Sequence, residues 1–263
     1  MQYLSQAPYL LPLILGAGWA AGFLNGLLGL GGMTIYMPTF ICLLRPLYPE
    51  SENLLPVVLA NSFCVMLVVS IMSCAAHHKS RYVVSDKVPL ISVGALSGAL
   101  MGFELAHAGK LIADMDLLFG IYIVIVGLFS LAQPVEAKFL RLSGRHCYGI
   151  GFLSGMLGGL VGFNGNTVAI PLLRYCGLDL KSAVATGNFV GLAVSLALLC
   201  RLGVAIGFDR MDIFLCFTLA IGGLMGSPYG ARIKVGLKPR WLNIAFCVAC
   251  VSAGCIIMSL HLS

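Results

Sequence analysis

Gly151-Phe152-Leu153-Ser154-Gly155-Met156-Leu157-Gly158, followed after three residues by Gly162-Phe163-Asn164-Gly165-Asn166-Thr167-Val168-Ala169-Ile170-Pro171, has a near twin earlier in the chain. The twin runs Gly22-Phe23-Leu24-Asn25-Gly26-Leu27-Leu28-Gly29, then Leu30-Gly31-Gly32-Met33-Thr34-Ile35-Tyr36-Met37-Pro38. Six of the first eight positions are identical. When Gly29 to Pro38 is set against Gly162 to Pro171, two glycines, a threonine and the proline coincide. Both copies lie in long apolar stretches. A duplicated apolar segment broken by glycine is the best sequence pointer to a transporter's binding site.

The surroundings place both copies in a membrane. Of the 263 residues, 59% are hydrophobic and only 10% charged, against about 25% charged in a soluble domain. Eight stretches contain no Asp, Glu, Lys or Arg: 1–44, 53–78, 88–103, 117–135, 146–173, 182–200, 213–231 and 241–263. Roughly 20 apolar residues cross the hydrocarbon core as a helix. Most stretches fit one crossing, but 1–44 and 146–173 are too long for one simple span. No basic region precedes the first apolar run, so it does not read as a cleaved signal peptide. The net charge of +6 sits in the loops and speaks of membrane orientation, not of nucleic acid. The ten cysteines read as small apolar packing residues, including Cys247 and Cys250 with their CxxC spacing.

Orientation follows from where the loop charges fall. If every stretch crosses once, Lys and Arg divide eight against eight, and no positive-inside signal exists. If 146–173 enters and leaves on one side, they divide twelve against four. The second scheme makes the repeated segment a re-entrant pair of half-helices or two short tilted spans. It also leaves three simple crossings per half, so the second half is expected upside down relative to the first. The expected fold is an all-α integral membrane protein of two inverted-topology repeats, each a broken hairpin plus three transmembrane helices. The repeats cover about 8–132 and 146–261, joined by the basic loop 133–145. Two glycine ladders support the duplication: Gly94, Gly98 and Gly102, and Gly222, Gly226 and Gly230. Glycines four apart line one helix face and admit a close neighbour.

The breaks also carry the expected chemistry. Gly31-Gly32 and Asn164-Gly165-Asn166 end one half-helix and start another near Thr34 or Thr167. Such an N-terminus exposes N–H groups and roughly half a positive charge, and binds oxyanions without a fixed cation. Asn25, Asn61, Ser62, Thr186 and Asn188 are further candidates to line the site, although polar residues also bridge helices structurally. The eight stretches hold no carboxylate, and no nucleophile constellation is evident. The expectation is therefore a transporter with no catalytic residues, no metal and no cofactor. Its partners are a small anion and the lipid bilayer. A structural membrane subunit, or a carrier of another organic anion, is the alternative.

At Gly22 to Pro38, Gly151 to Pro171, Ala60-Asn61-Ser62 and Ala185-Thr186-Gly187, the chain resembles the sulfite exporter TauE/SafE family of membrane transporters. The resemblance spans nearly the full length. It implies export of sulfite, organosulfonates or related small anions across a cell membrane, the inner membrane in bacteria. The chain departs from the family pattern at Met33, Asn164 and Asn166, where the resemblance leads one to expect glycine. The two asparagines narrow the second break and add donors.

Overall fold

A computed structural model describes residues 10–28, 32–44, 54–78, 82–109, 115–131, 143–236 and ten positions between 244 and 259. Its regular elements are helical: α1 (Leu10–Leu28), α2 (Met33–Leu44), α3 (Leu54–His78), α4 (Val88–Ala108), α5 (Met115–Leu131), α6 (Gly144–Val161), α7 (Asn166–Tyr175), α8 (Leu180–Ile206) and α9 (Ile213–Gly236), with a 3-10 turn at Phe208–Arg210. Among the described residues, four segments are long and apolar enough to cross a bilayer: Leu54–Ala75, Val88–Ala108, Lys181–Ile206 and Ile213–Gly230. Their ends carry recognisable stops and starts. Asp179 caps α8 by accepting the N–H groups of Lys181 at 3.1 Å and Ser182 at 3.4 Å. Asp212 caps α9 through Leu215 N–H at 3.0 Å.

The two duplicated segments fold alike. Each is a helix followed by a short helix: α1 then α2, with 29–31 outside the described residues, and α6 then α7. At 10 and 12 residues, α7 and α2 are too short to span. Pro171 and Pro38 each stand five residues into the short helix. The short helices begin at Met33 and Asn166, one residue before the expected threonines.

Both glycine ladders are packing surfaces. A side chain at Gly98 would overlap the backbone of Phe152, and one at Gly102 that of Met156, so α4 lies backbone to backbone on α6. Gly151, Gly155 and Gly159 return the contact against Ile91, Ala95 and Ala99. In the other pair, Gly222 and Gly226 of α9 rest on Leu15 and Trp19 of α1, while Gly18 and Gly22 face Leu219 and Gly223. Residue numbers rise together in both pairs, so the partners run parallel. Each ladder thus grips the broken helix of the opposite half. Such close approach gains dispersion contacts where water supplies no driving force. Farther along, α5 receives the C-terminal helical residues: Gly127 faces Cys250, and Gly254 faces Val124 and Ile123. Cys247 and Cys250 are buried free thiols in that contact.

Cross-links between halves fix the directions of the central helices. Near the start of α3, Asn61 accepts Asp212 N–H at 2.9 Å, just ahead of α9. Near the start of α8, Thr186 accepts Val84 N–H at 3.4 Å, just ahead of α4. Near the end of α3, Ser73 accepts Asn188 Nδ2 of α8 at 2.9 Å. α3 and α8 are therefore antiparallel. The carboxylate of Glu104 pairs with Arg201 Nε at 2.6 Å, bringing the C-terminal ends of α4 and α8 together. α7 runs against α8, for Gly187 faces Ile170 and Gly191 faces Asn166. Since α6 follows α4, and α4 follows α8, the chain doubles back between α6 and α7.

Candidate functional site

The second break is a polar island in an apolar bundle. α6 ends at Gly162, whose φ of 82° is left-handed and whose N–H bonds Gly158 O at 2.8 Å. Phe163 and Asn164 cross the gap. Gly165, also left-handed at φ 75°, then launches α7 with no side-chain cap. Only glycine adopts such φ values cheaply. Val168 and Ala169 N–H both reach back to Gly165 O. The first N–H groups of α7, at Asn166 and Thr167, have no intrahelical acceptor because the helix begins there.

Polar side chains from three other helices converge on that helix start. Ser195 of α8 donates to Asn164 Oδ1 at 2.9 Å. Asn166 Nδ2 donates to Asn188 Oδ1 at 3.4 Å, and Asn188 is held in turn by Ser73. Tyr122 of α5 donates to Thr167 Oγ1 at 3.4 Å and stacks on Phe163 with 4.2 Å between ring centroids. Two amide atoms remain open: Asn164 Nδ2 and Asn166 Oδ1 are buried without a hydrogen-bond partner. Asn164 and Asn166 are only 2% and 3% exposed. A buried polar atom left unpaired costs about 1–3 kcal/mol, so native proteins keep such atoms for a purpose.

Both open atoms lie against Gly191 of α8. A Cβ there would stand 2.8 Å from Asn164 Nδ2 and would overlap Asn166 Oδ1. Every buried polar side chain among the described residues is uncharged. The site therefore offers amide, hydroxyl and helix-terminal dipoles with no fixed ion beside them.

The expected residues fall into three groups. Asn164, Gly165, Asn166, Thr167 and Asn188 come together here. Asn61 and Thr186 sit instead at opposite ends of the bundle, where each accepts the backbone N–H of a loop entering a ladder helix. Asn61 is fully engaged, since it also donates to Val57 O at 2.8 Å and accepts the Cys216 thiol at 3.2 Å. The third group belongs to the first half. Gly32 opens α2 with φ 57°, matching Gly165. Asn25 is half-buried in α1, and Ser62 is buried with an unpartnered hydroxyl. Gly31 and the side chain of Thr34 lie outside the described residues.

Sequence reasoning missed Gly191, Ser195, Ser73 and Tyr122. One signal was present: Gly187-xxx-Gly191-xxx-Ser195 repeats the four-residue spacing of the two ladders. Ser73 and Tyr122 come from distant helices and leave no local trace.

Comparison with known proteins agrees with this architecture. Residues 14–257 match the family model described as Sulfite exporter TauE/SafE. A probable membrane transporter protein of Haemophilus influenzae is 30% identical over 192 residues, covering 72% of this chain and 71% of that one. One from Methanocaldococcus jannaschii is 24% identical, with 89% and 90% covered. Another, YunE of Bacillus subtilis, is 22% identical, with 90% and 93% covered. With nearly its full length matched, a bundle of apolar helices and a break that buries open amide groups, the chain belongs to the sulfite exporter TauE/SafE family of membrane transporters.

Proposed function

We propose that this membrane transporter exports small sulfur-containing anions, such as sulfite or organosulfonates, through a site at the start of α7. The single observation carrying this reading is the pair of buried, unpartnered amide atoms of Asn164 and Asn166 at an uncapped helix N-terminus. Helix-terminal N–H groups and the Asn164 amide stabilise negative charge without a counter-ion. A fixed cation would hold the anion too tightly for release. Thr167 and Asn188 complete the lining, and the Tyr122–Phe163 stack closes one side. Asn61 and Thr186 act as clamps on the crossover loops. The protein has no enzymatic role in this reading.

The halves act as inverted repeats, about 8–132 and 146–261. Antiparallel α3 and α8 and the doubling back between α6 and α7 support that arrangement. The same arrangement gathers twelve Lys and Arg at the end that carries loop 79–87, assigning that end to the cytoplasm of a cell membrane. An inside-negative potential favours anion efflux by about 2.3 kcal/mol per charge per 100 mV, so export needs no coupling ion.

Proteoliposomes loaded with sulfite test this reading. Efflux is expected to rise with an imposed inside-negative potential and to ignore a proton gradient. Flux that follows the proton gradient and not the voltage contradicts uncoupled export. No flux of any small anion favours a structural subunit.

A further inference from the structure

We infer, on the basis of the site proposed above, that the ligand carries a hydrogen-bond donor as well as acceptors: a small, singly charged anion bearing an O–H or N–H group. A primary amide supplies donors on nitrogen and acceptor lone pairs on oxygen. Asn164 spends its oxygen on Ser195 and leaves Nδ2 open. Asn166 does the reverse, spending Nδ2 on Asn188 and leaving Oδ1 open. The two open atoms are of opposite kind and border the same glycine face at Gly191. A ligand seated there gives an oxygen to the first and a hydrogen to the second.

Asn166 is held from outside the site by Asn188 and, through it, by Ser73. Asn188 gives its own Nδ2 to Ser73 at 2.9 Å, so its oxygen faces Asn166 and takes the Asn166 amide hydrogen. An anion with acceptors alone would satisfy Asn164 and the α7 N–H groups. It would also press a ligand oxygen toward Asn166 Oδ1, or leave that atom unpaired. A protonated oxyanion, or a sulfonate with a hydroxyl or amino substituent, meets both open amide atoms at once. Sites built around a buried polar group reject analogues lacking the matching atom far more strongly than sites that measure size.

The test compares methanesulfonate with hydroxymethanesulfonate, which share a single charge and differ by one donor. Binding to the purified full-length wild-type protein is read by titration in detergent. Hydroxymethanesulfonate is expected to bind between about 5- and 150-fold more tightly, the range for satisfying one buried acceptor. In Asn166→Leu the two ligands should bind within about twofold of each other, because the acceptor is gone. Equal affinities in the wild type overturn the donor requirement. A preference that survives in Asn166→Leu overturns the assignment of Asn166 as its source. Gly191→Ala separates these failures from failure of the site itself. If Gly191→Ala blocks both ligands while the wild type binds them equally, the site stands and the donor inference falls. If Gly191→Ala binds both as the wild type does, the site is elsewhere and both readings fall. The wild-type comparison needs no variant to fold.

Discussion

The two short helices start from the same left-handed glycine and differ in almost everything else. Gly32 and Gly165 take the same left-handed turn, and each short helix carries its proline at the same place. Around the second break the side chains are Asn164, Asn166, Asn188 and Ser195, facing Gly191. The first copy places Met33 where the second has Asn166. Continuing the pairing of Ser62-Phe63 with Asn188-Phe189 along α3, Val65 stands for Gly191 and Val69 for Ser195. Met33, Val65 and Val69 are buried, as are Tyr36, Met37 and Phe40 of α2. A valine at the place of Gly191 fills the space that the second half gives to the Asn164 and Asn166 amides. Among the described residues the first copy keeps two unpartnered hydroxyls, of Tyr36 and Ser62, in an otherwise apolar setting, while the second gathers the amides to which the proposed site is assigned. In the reading proposed above, the second break holds the ligand and the first does not.

That contrast can be broken experimentally, and the largest effect should come from Gly191→Ala. Its methyl group collides with both open amide atoms, so sulfite uptake into vesicles should fall at least about tenfold. Thermal stability in detergent should change far less than uptake. The matched change in the other half, Val65→Ala, should instead lower stability by about 0.5–1.5 kcal/mol and leave sulfite affinity within about twofold. Loss of affinity in Val65→Ala would mean that both breaks bind ligand.

Met33→Ala sharpens the same comparison from the packing side. Met33 is fully buried beside Tyr36 and Phe40. Its truncation should cost about 2–5 kcal/mol of stability, read as a lower midpoint in thermal unfolding. Asn166→Ala, at the equivalent place, should cost less stability and more binding. Gly32→Ala and Gly165→Ala should each lose about 1–2 kcal/mol because a Cβ is strained at left-handed φ, and Gly32→Ala should lose more, because its Cβ would also stand 2.6 Å from the Tyr36 ring. No loss in either variant would argue against a left-handed turn at that glycine.

The smallest effects on binding should come from the clamps. Asn61 makes several protein hydrogen bonds and Thr186 one long one. Asn61→Ala should therefore destabilise by about 2 kcal/mol and Thr186→Ala by under about 1 kcal/mol. Neither should alter the preference among ligands. A changed preference in either variant would return that residue to the binding site.

Much of this fold was legible because membranes restrict the options. Long charge-free stretches give spans, and glycines four apart give close helix contacts. The duplicated Gly32 and Gly165 marked where the backbone breaks, one residue before the short helices begin. What the sequence could not supply was the partner of each ladder, because Gly98 reaches Phe152 only after the halves interlock. For the site, local pattern picked out Asn164 to Thr167 and Asn188. It could not separate Asn61 and Thr186, which look equally polar and equally placed near helix starts. Only the loops they clamp distinguish them, and those contacts join residues more than 100 positions apart. Gly191 escaped for the opposite reason. Its contribution is the side chain it lacks, and a glycine in a glycine-rich chain draws no notice.

The central claim is that one break binds and the other does not. Calorimetric titration of the purified transporter with sulfite measures this directly. The account predicts one site per chain in the wild type, no site in Gly191→Ala, and one unchanged site in Val65→Ala. Two sites per chain, or binding that persists in Gly191→Ala, would contradict it.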